Sequence, residues 1–149
     1  MNVPVRILLD ENTGAPFVAA LRRVAELDRR HPCEIAHTIE LFGKGAKDPD
    51  WVPRIMNEDW LLVTEDRGKN SRQEERLPQL CRLHKITHVL VLPALLKRGG
   101  QFEKMRAILA VWPELLLMTE APRGLRARLK YSGPACSGFR LERVIENIA

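Results

Sequence analysis

A chain of 149 residues and 17.0 kDa has the length of one domain, and a chain of that size buries about two-thirds of the surface it would expose unfolded. Apolar residues make up 45% and charged residues 29%; this excludes disorder as the main state, and no apolar run approaches the roughly 20 residues that span a bilayer. Residues 1–66 carry 8 Lys and Arg against 12 Asp and Glu, a net of −4, whereas residues 67–149 carry 16 against 7, a net of +9. An acidic half followed by a basic half suits an enzyme that holds a cation on carboxylates and a polyanion on basic groups. An unevenly charged, solvated surface gives the same composition.

The short apolar run Val5–Leu9 (VRILL), closed by Asp10, Glu11 and Asn12, predicts a buried strand. Asn12-Thr13-Gly14 then turns the chain into a helix over 16–27, with Phe17, Val18, Leu21, Val24, Ala25 and Leu27 at helical spacing and Arg22 and Arg23 outside. Residues 33–39 read as a second strand, and Gly43, Gly45 and Pro49 as a loop. Asp48 is placed to cap a helix that has Pro49 at its first position and Trp51, Val52, Ile55 and Met56 inside. Trp60–Thr64 (WLLVT) is another buried strand, ending in Glu65-Asp66.

Residues 73–84 read as helix, 88–92 as strand and 101–112 as an amphipathic helix, with Lys97–Gly100 as a surface turn. From Gly124 to Tyr131, Leu125, Ala127, Leu129 and Tyr131 alternate with Arg126, Arg128 and Lys130, which predicts a half-buried strand with a basic outer face. Residues 139–148 fit a second strand or a short helix. Strands alternating with helices predict an α/β fold whose mostly parallel sheet is covered on both faces.

Asp10 and Glu11 interrupt the N-terminal segment where a signal peptide would still be apolar. Cys33, Cys81 and Cys136 are widely spaced and odd in number, which suits neither a disulfide framework nor a zinc site and fits a reducing cytoplasm. Trp51, Trp60 and Trp112 lie on apolar faces and read as core, leaving Tyr131 as the stacking candidate beside the basic strand. His84 and His88 are four apart, but a strand begins between them, so they form no metal-binding pair.

The acids form a pattern. Asp10 and Asp66 each follow a parallel strand and emerge on one edge, where open α/β sheets bind ligands, and Asp48 starts the helix leading into the second of these strands. Carboxylates crowded there repel one another unless a cation neutralises them, and Mg²⁺ or Mn²⁺ is the natural guest for oxygen donors. Taken singly, Asp48 is equally a helix cap and Asp66 a turn residue.

Together the strings ILLDEN (7–12), DPDW (48–51) and LLVTED (61–66) resemble the PIN-like nuclease superfamily, nearest to small bacterial VapC-type ribonuclease toxins. In that pattern an Asp closes the first strand, a second Asp opens a helix and a Thr-x-Asp closes the next strand; here 18 residues separate Asp48 from Asp66. The resemblance covers about residues 5–92, with a fainter continuation to Tyr131. It implies one domain over 1–149 with a three-layer α/β/α fold and a mostly parallel central sheet. The core would span about 5–118, followed by a basic C-terminal strand or hairpin over about 119–149.

The resemblance further implies that Asp10, Asp48 and Asp66 are catalytic and metal-binding. Glu11 and Asp50 would be auxiliary ligands or acceptors that orient water, with Thr64 and Asn12 supporting the site. Relatives often carry another acid two residues after the last Asp; Gly68 stands there, which leaves the number of metals open. Arg67, Lys69 and Arg72 follow Asp66 and, with Arg126, Arg128 and Lys130, would line a groove for single-stranded RNA. A charged strand guarding a sheet edge has the same pattern.

The implied activity is metal-dependent endoribonuclease cleavage of RNA, as the cytoplasmic toxin of a toxin–antitoxin pair with a small antitoxin, self-association and no membrane among its partners. Two other classes fit parts of the sequence. One is a PIN-like module that has lost catalysis and only binds. The other is a receiver-like domain with Asp66 as phosphoacceptor, although Pro93-Ala94 stands where a receiver carries Ser or Thr.

Overall fold

A computed structural model describes residues 4–65 and 77–144. Asp66, Arg67, Lys69, Arg72 and the beginning of the helix expected over 73–84 lie outside the described residues. The elements are β1 (Val5–Leu9), α1 (Ala15–Ala25), β2 (Cys33–His37), α2 (Thr38–Phe42), α3 (Asp48–Trp51), β3 (Trp60–Thr64), α4 (Leu77–Leu83), β4 (Thr87–Val91), α5 (Pro93–Ala110), α6 (Trp112–Glu120), β5 (Arg126–Ser132) and β6 (Gly138–Arg143). The strands form one sheet in the order β2-β1-β3-β4-β5-β6. β1 to β5 run parallel and β6 returns antiparallel to β5.

Strand periodicity sorts the core into two layers. Ile7, Leu9, Leu61, Val63, Val89, Val91, Ala127 and Leu129 face α1, α5 and α6. Leu8 and Leu62 face the other way, against Trp51, Val52, Ile55, Leu77, Leu80 and Cys81. A strand covered on both sides has no polar face to show, which is why Ile7–Leu9 and Trp60–Val63 are continuous apolar runs. Each fully buried Leu or Ile contributes roughly 1.5–3 kcal/mol relative to exposure. The result is the three-layer α/β/α arrangement, and no helix among the described residues is long and apolar enough to cross a membrane.

Local chemistry explains where elements depart from expectation. The strand over 33–39 stops at His37, whose N–H donates to the Glu40 carboxylate at 2.8 Å and starts α2. Lys47, not Asp48, is the N-cap of α3, and Asp48 and Pro49 open the helix itself. Pro53 cannot donate the next helical hydrogen bond, so Val52–Ile55 continues as a 3₁₀ turn. Lys97–Gly100 belongs to α5, which begins at Pro93 and kinks at Gly100, where φ of 60° and ψ of −146° suit glycine alone. The helix α6 carries buried Leu115, Leu116 and Met118 in an apolar block with no clear helical period. The alternatives at 139–148 resolve to the strand β6 over its described part.

Candidate active site

Parallel strands bring the carboxyl ends of β1, β2, β3 and β4 to one edge of the sheet. Asp10 follows β1 there and is only 4% exposed. The Thr13 hydroxyl donates to Asp10 Oδ1 at 3.0 Å, and the Thr13 N–H donates to the Asp10 carbonyl at 3.0 Å. His37, at the end of β2, lies with Nε2 3.0 Å from the same carbonyl. A carbonyl only accepts, so His37 donates from Nε2, which sets its tautomer. Both the peptide and the side chain of Asp10 are thus held in place.

Behind Thr13 lies Lys104, a wholly buried lysine on α5. Its ammonium donates to Thr13 Oγ1 and, at 3.0 Å, to Glu65 Oε2, and it sits 4.7 Å from the centre of the Phe17 ring. Gln101 donates to the same Glu65 oxygen at 3.2 Å. An ammonium has no lone pair, so Thr13 accepts from Lys104 and directs its single proton to Asp10. The order is cation, hydroxyl, carboxylate, and each bond polarises the next.

Asp48 is half-buried at the start of α3, and the Trp51 indole N–H donates to its Oδ1 at 3.0 Å. Trp51 is itself buried and stacks on Phe42 with ring centres 5.7 Å apart. Both oxygens of Glu11 accept the Gly45 N–H, at 3.1 and 3.0 Å, so this acid ties the turn after β1 to the loop that leads into Asp48. Asp50 and Asn12 are exposed. Thr64 is wholly buried and shares a 2.8 Å hydrogen bond with His88 Nε2. Burial, and secondarily the nearby Arg126 guanidinium, push the His88 imidazole down to about 3, so it is neutral at neutral pH.

Two of the three expected metal ligands, Asp10 after β1 and Asp48 at the start of α3, are therefore described, and the Glu11–Gly45 contact joins the segments that lead to them, while Asp66 lies outside the described residues. Among the described residues no three His, Cys, Asp or Glu side chains gather closely enough to hold a metal ion. The donors in view are carboxylate oxygens, which fit a hard cation in kind.

Arg126, Arg128 and Lys130 project from β5 on the face shared by Thr64 and His88. Leu90 pairs in register with both Thr64 and Arg128, which sets Arg128 two strands away, roughly 10 Å. β5 is not an edge strand, because β6 covers it. From β6, Glu142 accepts from Lys130 at 2.8 Å and from Arg140 at 3.1 Å, with Arg128 4.0 Å away. The Lys130 hydrogen bond, above all, holds the Glu142 carboxyl below its usual range. Arg126 is half-buried, and burial lowers its guanidinium from the ordinary value.

Lys104, Glu65, Thr13, His37 and His88 belong to this edge without a sequence motif that marks them. A signal for one existed: Lys104 precedes Ala107 and Ile108 by three and four residues, on the inner face of α5, where a charge requires partners.

A family model described as a PIN like domain matches residues 5–88, more than half of the chain. No curated protein and no solved structure matches it.

Proposed function

The chain belongs to the PIN-like domain family, a nuclease-type fold, and from that premise we propose that it is a metal-dependent endoribonuclease. The observation that carries this reading is Asp10: a carboxylate 4% exposed at the carboxyl end of a parallel strand, held by Thr13 and backed by a buried ammonium. Such a group is costly to bury and is kept in one orientation.

Asp10, Asp48 and Asp66 are assigned to Mg²⁺ or Mn²⁺, an all-oxygen set of the kind hard cations take. When bound, the ion supplies positive charge against phosphate oxygens and makes water a stronger acid. The chain's own residues do the rest. Thr13 and Trp51 each fix one carboxylate oxygen, so Asp10 and Asp48 need no reordering during reaction. Arg126, Arg128 and Lys130, with Arg67, Lys69 and Arg72, contact the phosphates of single-stranded RNA. Hydrolysis forms a bond from water oxygen to phosphorus, breaks one P–O ester bond and leaves a proton on the departing oxygen. Glu11 and Asp50 have auxiliary parts, and Thr64 and Asn12 support the site.

A toxin role opposed by a small antitoxin, with self-association in the cytoplasm, completes the proposal and rests on the resemblance of ILLDEN, DPDW and LLVTED to VapC-type proteins. The test is cleavage of a mixed single-stranded RNA pool in Mg²⁺, Mn²⁺ or EDTA. Cutting in either metal and none in EDTA supports the nuclease; RNA bound but uncut in every condition turns the reading to a binding module.

A further inference from the structure

Lys104 is wholly buried. An ammonium in that position is expensive, and a Met of similar shape would fill the space without the desolvation cost. Its charge therefore needs a reason, and its contacts supply one. Nζ reaches Thr13, whose proton goes to Asp10, and Glu65, the residue that follows β3. The Phe17 ring beneath adds a negative π-face. The kink at Gly100 turns the second half of α5 so that Gln101 and Lys104 both meet Glu65.

We propose that Lys104 is an internal counter-ion of the acidic edge. It supplies one fixed positive charge, directly to Glu65 and through the Thr13 hydroxyl to Asp10. The carboxylates then stay packed when no divalent ion is bound, and a divalent ion binds less tightly than it would to the same acids without the lysine. This rests on the reading of that edge as a divalent-metal site. Lys104 touches no substrate; it is a positioning residue, and its effect is read in metal affinity.

The experiment is Mn²⁺ titration of the full chain by electron paramagnetic resonance, with thermal midpoints in EDTA and in Mn²⁺. Wild type is compared with Lys104→Met, Lys104→Gln and Asp10→Asn. Loss of the charge in Lys104→Met is expected to tighten Mn²⁺ binding about tenfold or more and to enlarge the rise in midpoint that Mn²⁺ produces. Lys104→Gln keeps an N–H donor, is expected to behave in the same way, and decides the matter if Lys104→Met does not fold.

A lysine that merely packs its stem would give the same loss of midpoint with and without metal. If both neutral variants bind Mn²⁺ as wild type does, or more weakly, the counter-ion role is overturned while the metal site stands. If neither wild type nor any variant binds Mn²⁺, the metal reading fails and takes the counter-ion with it.

Discussion

The indole N–H of Trp51 lies 3.0 Å from Oδ1 of Asp48, three residues back across the single turn of α3. One residue thus serves both the core layer around Leu8 and Leu62 and the carboxylate of Asp48. Trp51→Phe keeps the ring stacked near Phe42 but removes the donor. Stability should fall by about 1–2 kcal/mol, and Mn²⁺ affinity by about tenfold, as for other groups that orient a ligand. Urea denaturation and Mn²⁺ titration separate the two. An unchanged affinity would reduce Trp51 to a core residue.

His88 predicts a pH dependence. Its folded value of about 3 lies below the ordinary 6.5, so the unfolded chain takes up the proton first. Above the ordinary value both states are neutral and there is no penalty. As pH falls from 6.5 toward 3, stability is lost at up to about 1.4 kcal/mol per unit, and below the folded value the loss stops growing. Wild type and His88→Asn, compared by urea denaturation from pH 7.5 to 4, should diverge as pH drops, with the variant flatter. Parallel curves would show that the imidazole is not held neutral.

Glu142 restrains the basic strand, since Lys130, Arg140 and Arg128 all converge on it. Glu142→Gln releases that charge on the face proposed to hold RNA. Affinity for single-stranded RNA at low salt should rise severalfold, with a steeper salt dependence. Unchanged binding would put the RNA path elsewhere.

Burial pushes both Cys33 and Cys81 up to about 12, while Cys136 is exposed between β5 and β6. Iodoacetamide at neutral pH should label one thiol in the folded protein and three in denaturant, read by intact mass. Labelling of Cys81 in the folded state would mean that the layer around α4 opens readily.

The strands were legible because burial on both faces writes itself as apolar runs with polar ends, as at Val5–Leu9 and Trp60–Thr64. The pairing of sheet edge with acids followed, since parallel strands deliver Asp10 and its neighbours to one side. The cap at Asp48 is not legible, because Asp before Pro suits an N-cap and the first helical position alike; the extended backbone of Lys47, whose carbonyl accepts from Asp50 and Trp51, distinguishes them. The helix α6 was hidden by its own composition: Leu115, Leu116, Leu117 and Met118 form a solid apolar block with little periodicity. The roles of Lys104 and His88 are not legible in the sequence because their partners lie far along the chain, at Thr13 and Thr64. A buried charge is defined by what folding brings to it.

The central claim is tested most directly by single-turnover cleavage of single-stranded RNA in Mn²⁺ by wild type and by Asp10→Asn, purified identically and shown to be equally folded. Asn keeps the shape of Asp10 and removes its charge. Cleavage by wild type should vanish in EDTA and fall to about one hundredth or less in Asp10→Asn. Equal cutting by the two proteins, or cutting that survives EDTA, would contradict a metal-dependent site built on Asp10.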